Sequence, residues 1–268
     1  MNTPITSFKN PLVKNIVRLQ QNSSERKATG TFVVEGRREV SQAIKHGIVS
    51  EMLIVCPEIF SQNTEYPIPY ESHDATKTIL VSLAVYNKIA YRKGVEGVML
   101  LGKNPRESLE DYHPGQNPLI VVLEDVEKPG NLGAILRTTD AAGIDAVLLC
   151  NMRTDLYNPN AIRASLGCVF SQKVIECQSH HAFQWLKDKG INILAAAPLA
   201  SDLYFDTDFR KPSAIAFGAE DRGLSPIWLE EPARSIKIPM NGSIDSLNVA
   251  ASVAIVAFEA VRQRNTKR

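Results

Sequence analysis

Apolar residues fall at helical spacing over 11–21, where Leu12, Ile16, Val17 and Leu19 alternate with Lys14 and Arg18, and this predicts an amphipathic helix with a basic side. Polar Asn22, Ser23 and Ser24 end it. The run TFVVEG after Gly30 reads as a short strand, residues 37–46 return to a helical pattern stopped by Gly47, and MLIVC reads as a strand again. Residues 57–77 are rich in Pro, Ser, Asn and Asp with little periodicity; alternation resumes with a helix near 82–90 and the strand VEGVMLLG. The polar, Pro- and Gly-bearing text KNPRESLEDYHPGQN holds too few apolar residues for an element of its own. It predicts a linker at 104–116 between a first domain, 1–103, and a second, 117–268.

Beyond the linker the pattern gives strands at 119–126, 146–149, 174–177, 191–196, 214–218 and 236–240. Helices are predicted at 131–142, 160–167 and 182–189, with a short one before the last strand and a long one at the C-terminus. Such alternation predicts an α/β fold in which a C-terminal parallel sheet, covered by helices on both faces, is preceded by a smaller α/β domain.

Composition adds limits. At 268 residues and 44% hydrophobic content the chain holds ample material for packed cores, which excludes a disordered protein. The net charge is only +1, but residues 1–50 carry Lys9, Lys14, Arg18, Arg26, Lys27, Arg37, Arg38 and Lys45 against Glu25, Glu35 and Glu39. That basic face is either a solvated helix surface or a place for nucleic-acid phosphates. Cys56, Cys150, Cys168 and Cys177 show no C-x-x-C pairing and are expected to be reduced and buried. With no N-terminal apolar h-region and no membrane-length apolar stretch, the expected location is the cytoplasm. The five histidines never fall at metal-ligand spacing, so no metal is expected.

The chemistry concentrates at three junctions that follow apolar runs: KPGNLGAILRTTDAAG from Lys128, GAEDRGLS at 218–225, and IPMNGSIDSLNVA at 238–250. Ligands of open parallel sheets bind beyond the carboxyl ends of the strands, so three Gly- and Asn-rich loops there can converge on one small molecule. In the first, Pro129, Gly130, Asn131 and Gly133 read as a tight turn, and Arg137 is expected near its open mouth as a partly buried cation. The stretch lacks G-x-G-x-x-G, and neither G-x-x-x-x-G-K-[ST] nor G-x-S-x-G occurs, which removes dinucleotide, nucleotide-hydrolase and serine-hydrolase readings.

PGNLGAILRTTDAAG, FGAEDRGLS and IPMNGSIDSLNVAASVAIVAFE, in that order, resemble the three motifs of the SpoU (TrmH-like) family of S-adenosylmethionine-dependent RNA ribose 2′-O-methyltransferases. The segment from ITSFKNPLVKNIVRLQ through RKATGTFVVEGRREVSQAI is similar to the RNA substrate-binding domain that precedes the catalytic domain in many members. The resemblance implies a trefoil-knotted C-terminal domain, a homodimer formed across it, and S-adenosylmethionine held by the second and third motifs through Gly218, Ile238, Met240 and Leu247. It implies a reaction site of Asn131, Arg137, Glu220, Ser246 and Asn248, with Asn131 and Glu220 holding the Arg137 guanidinium. Asn131 and Ser246 are also of types that cap helices, and Ser165 in RASLGCVF, similar to another recurrent stretch of the family, reads as structural or substrate-side support. Two departures from the family pattern are Lys128, where an acid is frequent, and Ala219, where Ser or Asn is common. Lys9, Asn10, Lys14, Arg26 and Lys27 are the candidates for the RNA face. The implied substrate is ribosomal RNA rather than transfer RNA; the alternatives are a tRNA 2′-O-methyltransferase and a non-catalytic RNA-binding protein with a vestigial cofactor pocket.

Overall fold

The computed structural model describes residues 3–60, 66, 68, 77–91, 96–105 and 107–266. The irregular stretch expected at 57–77 lies mostly outside them. In chain order the elements are α1 (Pro11–Gln21), α2 (Ser23–Thr29), β1 (Thr31–Glu35), α3 (Arg37–Lys45), β2 (Ser50–Val55), β3 (Lys77–Leu80), α4 (Leu83–Ile89), β4 (Val98–Lys103), β5 (Leu119–Glu124), α5 (Pro129–Ala142) and β6 (Ala146–Cys150). There follow α6 (Pro159–Ala164), α7 (Cys168–Ser171), β7 (Val174–Cys177), α8 (Ser179–Asp188), β8 (Asn192–Ala196), β9 (Asp202–Leu203), β10 (Ser213–Phe217), β11 (Arg234–Lys237) and α9 (Val249–Asn265). Among the described residues no helix is long and apolar enough to cross a membrane.

The chain forms two compact units, 1–106 with 155–171, and 107–154 with 172–268. This departs from the expected boundary in one respect, since 155–171 was expected to belong with the C-terminal residues. It packs instead on β1: Tyr157 stacks on Phe32 with ring centroids 4.0 Å apart, and Asp155 takes the guanidinium of Arg26. In the stretch expected to be linker, Leu109 is buried in the core of the second unit.

In the first unit the described strands form a sheet in the order β1-β4-β2-β3, antiparallel except for the β2–β3 pair. The pleat sends Val33 and Ile54 into a cluster with Val13, Ile16 and Leu19 of α1 and Val85 and Ile89 of α4. Asn10 starts α1 by accepting a hydrogen bond from Leu12 N at 2.9 Å, and Pro11 follows at the first helical position, where its missing N–H costs nothing. Lys9, Lys14 and Lys27 are exposed as expected, but Arg26 is not. It lies in α2, which the polar run had concealed, and is 5% exposed. Its guanidinium donates to Asp155, to Leu19 O, and to Gln20 O at 3.2 Å, so every contact turns it inward, away from any RNA face. Ser165 is fully buried with its hydroxyl donating to Ile162 O at 2.7 Å, a local structural bond.

In the second unit the described strands run β7-β6-β5-β10-β8-β11-β9, every pair parallel. β5, β6 and β10 are buried at every position, which is why they read as unbroken apolar runs. Ile120, Val122, Ala146 and Leu148 face a core completed by Phe183 and Leu186 of α8 and by Trp228. The other face is left to α5 and α9, which pack against each other and bury Leu132, Ile135 and Leu136, and Val253, Val256 and Ala257. The chain turns to one side of β5 for β6 and β7, and to the other for β10 and β8. A crevice opens at such a switch point, beyond the carboxyl ends of the strands.

Candidate active site

Three loops meet at that crevice. The loop after β5 is shorter than the sequence suggested: Pro129, Gly130, Asn131 and Gly133 lie within α5, whose N-cap is Lys128. Proline at the first helical position presets the helical φ, so the residues that looked like a turn are the first turn of the helix. The loop after β10 folds back on itself, with Gly223 N donating to Ala219 O at 2.9 Å. A Cβ on Gly218 would meet the Gly223 carbonyl carbon at 2.1 Å, so glycine is required here by the approach of backbone to backbone. The third loop begins at Ile238, as the motif text implies, but the strand before it is Arg234–Lys237 and not the expected 236–240. Pro239 has no N–H to offer a ladder, and Ile238–Met240 run on as irregular backbone.

A cavity of about 480 Å³ lies between the second and third loops. Gly218, Ile238, Met240 and Leu247, the expected cofactor contacts, all line it, with Phe217 and Ile236 adding apolar wall. The sequence reading missed Ala196 at the end of β8 and Ala197, Pro198 and Leu199 just after it, which close another side; the small residues Ala195, Ala196 and Ala197 at a strand end were the available signal. Its size, mixed apolar wall, exposed loop backbone and the carboxylates of Glu220 and Asp245 suit a molecule made of a purine, a ribose and a charged amino-acid tail.

Glu220 also lines a second cavity, of about 280 Å³, with Glu127, Lys128, Asn131, Asp221 and Val249. Its Oε1 accepts from Asn131 Nδ2 at 2.8 Å and from Asn248 Nδ2 at 2.7 Å, and its Oε2 accepts from Lys128 Nζ. The Lys128 ammonium holds the Glu220 carboxyl below the usual carboxylate range, and the same bond raises Lys128. Asn248 has two duties. Its Oδ1 caps α9 by accepting from Ala250 N at 3.0 Å, which aims its amide nitrogen at Glu220 and, at 3.3 Å, at Asn131 Oδ1. Ser246 lines the larger cavity, and its hydroxyl donates to Asp245 at 3.2 Å.

Arg137 stands apart. It is exposed, six residues beyond Asn131 along α5, and lines neither cavity. The expectation that Asn131 and Glu220 hold its guanidinium is therefore wrong: six residues of helix rise carry it about 9 Å along the axis, and Lys128 occupies the place at Glu220.

Two further networks fix the loops, and the sequence reading foresaw neither. Glu124 ends β5 at 3% exposure and accepts from Ser225 N and Ser225 Oγ, each at 2.7 Å, and from Ser179 Oγ. A carboxylate closing the apolar run LIVVLE was the available signal. Nearer the surface, Arg153 bonds Asp125 at 2.8 Å and Glu127 at 2.6 Å, while Arg222 bonds Asp125 at 3.0 Å, which ties the loops after β5, β6 and β10 together.

Comparison with known proteins agrees with this geometry. Residues 118–258 match the SpoU rRNA Methylase family, and residues 10–100 match the MRM3-like substrate binding domain. A 23S rRNA (guanosine(2553)-2′-O)-methyltransferase of Bacillus subtilis is 28% identical across 95% of this chain and 97% of its own. A tRNA (guanosine(18)-2′-O)-methyltransferase of Thermus thermophilus is 40% identical, over 59% of this chain and 82% of its own. The crystal structure of an AdoMet-bound rRNA methyltransferase from Sinorhizobium meliloti superposes with a TM-score of 0.88 at 29% identity, covering 98% of this chain and 99% of that one. The three converging loops and the match over residues 118–258, more than half of the chain, place it in the SpoU family of RNA 2′-O-ribose methyltransferases.

Proposed function

We propose that this protein transfers a methyl group from S-adenosylmethionine to a ribose 2′-hydroxyl of ribosomal RNA. The observation that carries the reading is the joining of all three motif loops at one carboxylate, Glu220, which lines both the 480 Å³ cavity and the 280 Å³ cleft beside it. The cofactor, held along Gly218, Ile238, Met240 and Leu247, supplies an electrophilic sulfonium methyl. The residues of this chain align the acceptor oxygen with it, and alignment of that kind accounts for much of the rate of an in-line displacement. Asn131 and Asn248 fix Glu220 as an anion at the boundary, where the carboxylate orders the ribose hydroxyl. Ser246 orders the third loop from within the cavity. The exposure of Arg137 beyond both cavities fits contact of its five-donor guanidinium with an RNA phosphate better than contact with the reacting oxygen.

Ribosomal RNA is preferred because the ribosomal-RNA relative spans both units of this chain, whereas the tRNA relative spans 59% of it. Exposed Lys9, Lys14 and Lys27, with Asn10 beside them, are the RNA-face residues of the first unit. Three further features belong to this reading. The insertion of β10 between β5 and β8, and of β11 between β8 and β9, supports a knotted C-terminal path. The half-exposed apolar stripe Ala251, Ala254, Ile255 and Phe258 on α9 supports a homodimer through that helix. The cytoplasm is the compartment where such RNA is met. The test is tritium transfer from labelled S-adenosylmethionine to a 23S rRNA transcript, with the product mapped as a 2′-O-methyl nucleotide. Label on a tRNA transcript alone would select the tRNA alternative. Failure to bind S-adenosylmethionine by calorimetry would select a vestigial site.

A further inference from the structure

Glu220, Asn131 and Asn248 bond one another, so that each joins its own motif loop to the other two, and Lys128 is the cation that touches Glu220. The other charged groups around the two cavities are Asp125, Glu127, Asp221, Arg222, Lys237 and Asp245. Asp125 and Glu127 are already compensated by Arg153 and Arg222, and Asp221 lies 3.3 Å from Arg222. Lys128 is thus the cation paired with Glu220. Asn131 and Asn248 both donate to Oε1, so without the bond on Oε2 the carboxylate could swing about its last torsion and lose the bridge between the loops. An uncompensated carboxylate at the lip of the smaller cavity would also repel the phosphates of any RNA brought to it.

We propose that Lys128 is a positioning residue of the methyl-transfer site: it turns and neutralises Glu220 at the boundary between the two cavities, so that the carboxylate meets the ribose hydroxyl in one orientation while the RNA backbone passes. The inference rests on the methyltransferase reading above. Lys128 acts through Glu220 and is not itself a catalytic residue. Its side chain is 70% exposed, so the ion pair does little for stability, and its effect falls on geometry and charge.

Four full-length variants separate these effects: the single changes Lys128→Met, Lys128→Arg and Glu220→Gln, and the double change Lys128→Met with Glu220→Gln. Single-turnover transfer from labelled S-adenosylmethionine to a 23S rRNA transcript is followed across pH. The Glu220 carboxyl is titrated by carbon NMR in protein labelled at the glutamate side-chain carboxyl, and assigned by its loss in Glu220→Gln. The expected result is a rate roughly ten- to a hundredfold lower in Lys128→Met, the scale of a misplaced reacting group. Affinity for S-adenosylmethionine and melting temperature stay unchanged. Loss of the Lys128 bond moves the Glu220 titration, and with it the acid limb of the rate, to higher pH; Lys128→Arg restores both, and Lys128→Met adds nothing once Glu220 is Gln. A Glu220 titration indifferent to Lys128→Met, or an equal loss in the Glu220→Gln background, overturns the role of Lys128. Absence of transfer by the wild-type protein to rRNA and tRNA transcripts overturns the underlying function instead, and the NMR arm still reports on the pair.

Discussion

Arg26→Met offers a direct test of how the first unit is held together. The side chain makes three donations inside a nearly solvent-free site: to the Asp155 carboxylate, to Leu19 O and to Gln20 O. Asp155 in turn accepts Tyr157 N at 3.0 Å on its other oxygen. Methionine fills much of the volume but leaves a carboxylate with a single backbone donor at 8% side-chain exposure, and strands two carbonyls from the last turn of α1. Breaking a buried pair on one side costs about 3–5 kcal/mol, a large share of the roughly 5–15 kcal/mol that holds a domain. With a urea dependence of about 1.5 kcal/mol per molar, the midpoint should fall by about 2–3 M. Far-UV ellipticity is the suitable probe, since Trp185 and Trp228 both lie in the second unit. Removing both charges, as Arg26→Met with Asp155→Leu, should recover part of the loss because no lone charge remains buried. Lys27→Met, on the exposed side of the same helix, should stay within about 0.5 kcal/mol and lose only salt-dependent RNA affinity. An Arg26→Met protein as stable as the wild type but weak for RNA would refute the reasoning and return Arg26 to the RNA face.

Three further outcomes follow from the geometry. Gly218→Ala should abolish S-adenosylmethionine binding by calorimetry, because its Cβ would sit 2.1 Å from the Gly223 carbonyl carbon and the loop must open. Asn248→Ser keeps an oxygen for Ala250 N but loses both amide donations, whereas Asn248→Ala loses the cap as well; both should be inactive in transfer, with Asn248→Ala less stable by about 1 kcal/mol. Burial raises the Glu39 carboxyl, so its charged form opposes folding at neutral pH and this cost fades as pH falls through the raised folded value toward the unfolded one. Glu39→Gln should therefore stabilise the protein at pH 7, by a margin that shrinks on acidification in urea titrations.

Much of this architecture was legible because it is local. The α1 pattern and the strand at 174–177 coincide with the observed elements, since each is set by side-chain periodicity and by the residues at its ends. The two-residue β9 is too short to show a period, and β3 begins at the end of the polar, irregular 57–77 text, which hides its start. What stayed hidden depends on partners far away in the chain. Arg26 looked like one more solvated cation because Asp155, 129 residues on, is invisible to any window of sequence. Lys128 and Glu220 are 92 residues apart, so the motif text supplied the acid but not its cation. The cofactor-lining residues were easier to find because the loops themselves announce the cavity, whereas the position of Arg137 depended on knowing that α5 begins at Pro129.

The first unit is assembled from two stretches of chain separated by some fifty residues, and this limits how the protein can be cut or recombined. A fragment ending before Arg106 would lack both Tyr157, which stacks on Phe32, and the acid that neutralises Arg26. It would carry an apolar ring and a lone buried charge into solvent, and should be recovered aggregated rather than as a free RNA-binding module. Exchange of the N-terminal part between relatives is constrained in the same way. A graft at the apparent linker transfers only part of the fold it is meant to move, and succeeds only when residues 155–171 travel with it as a matched set.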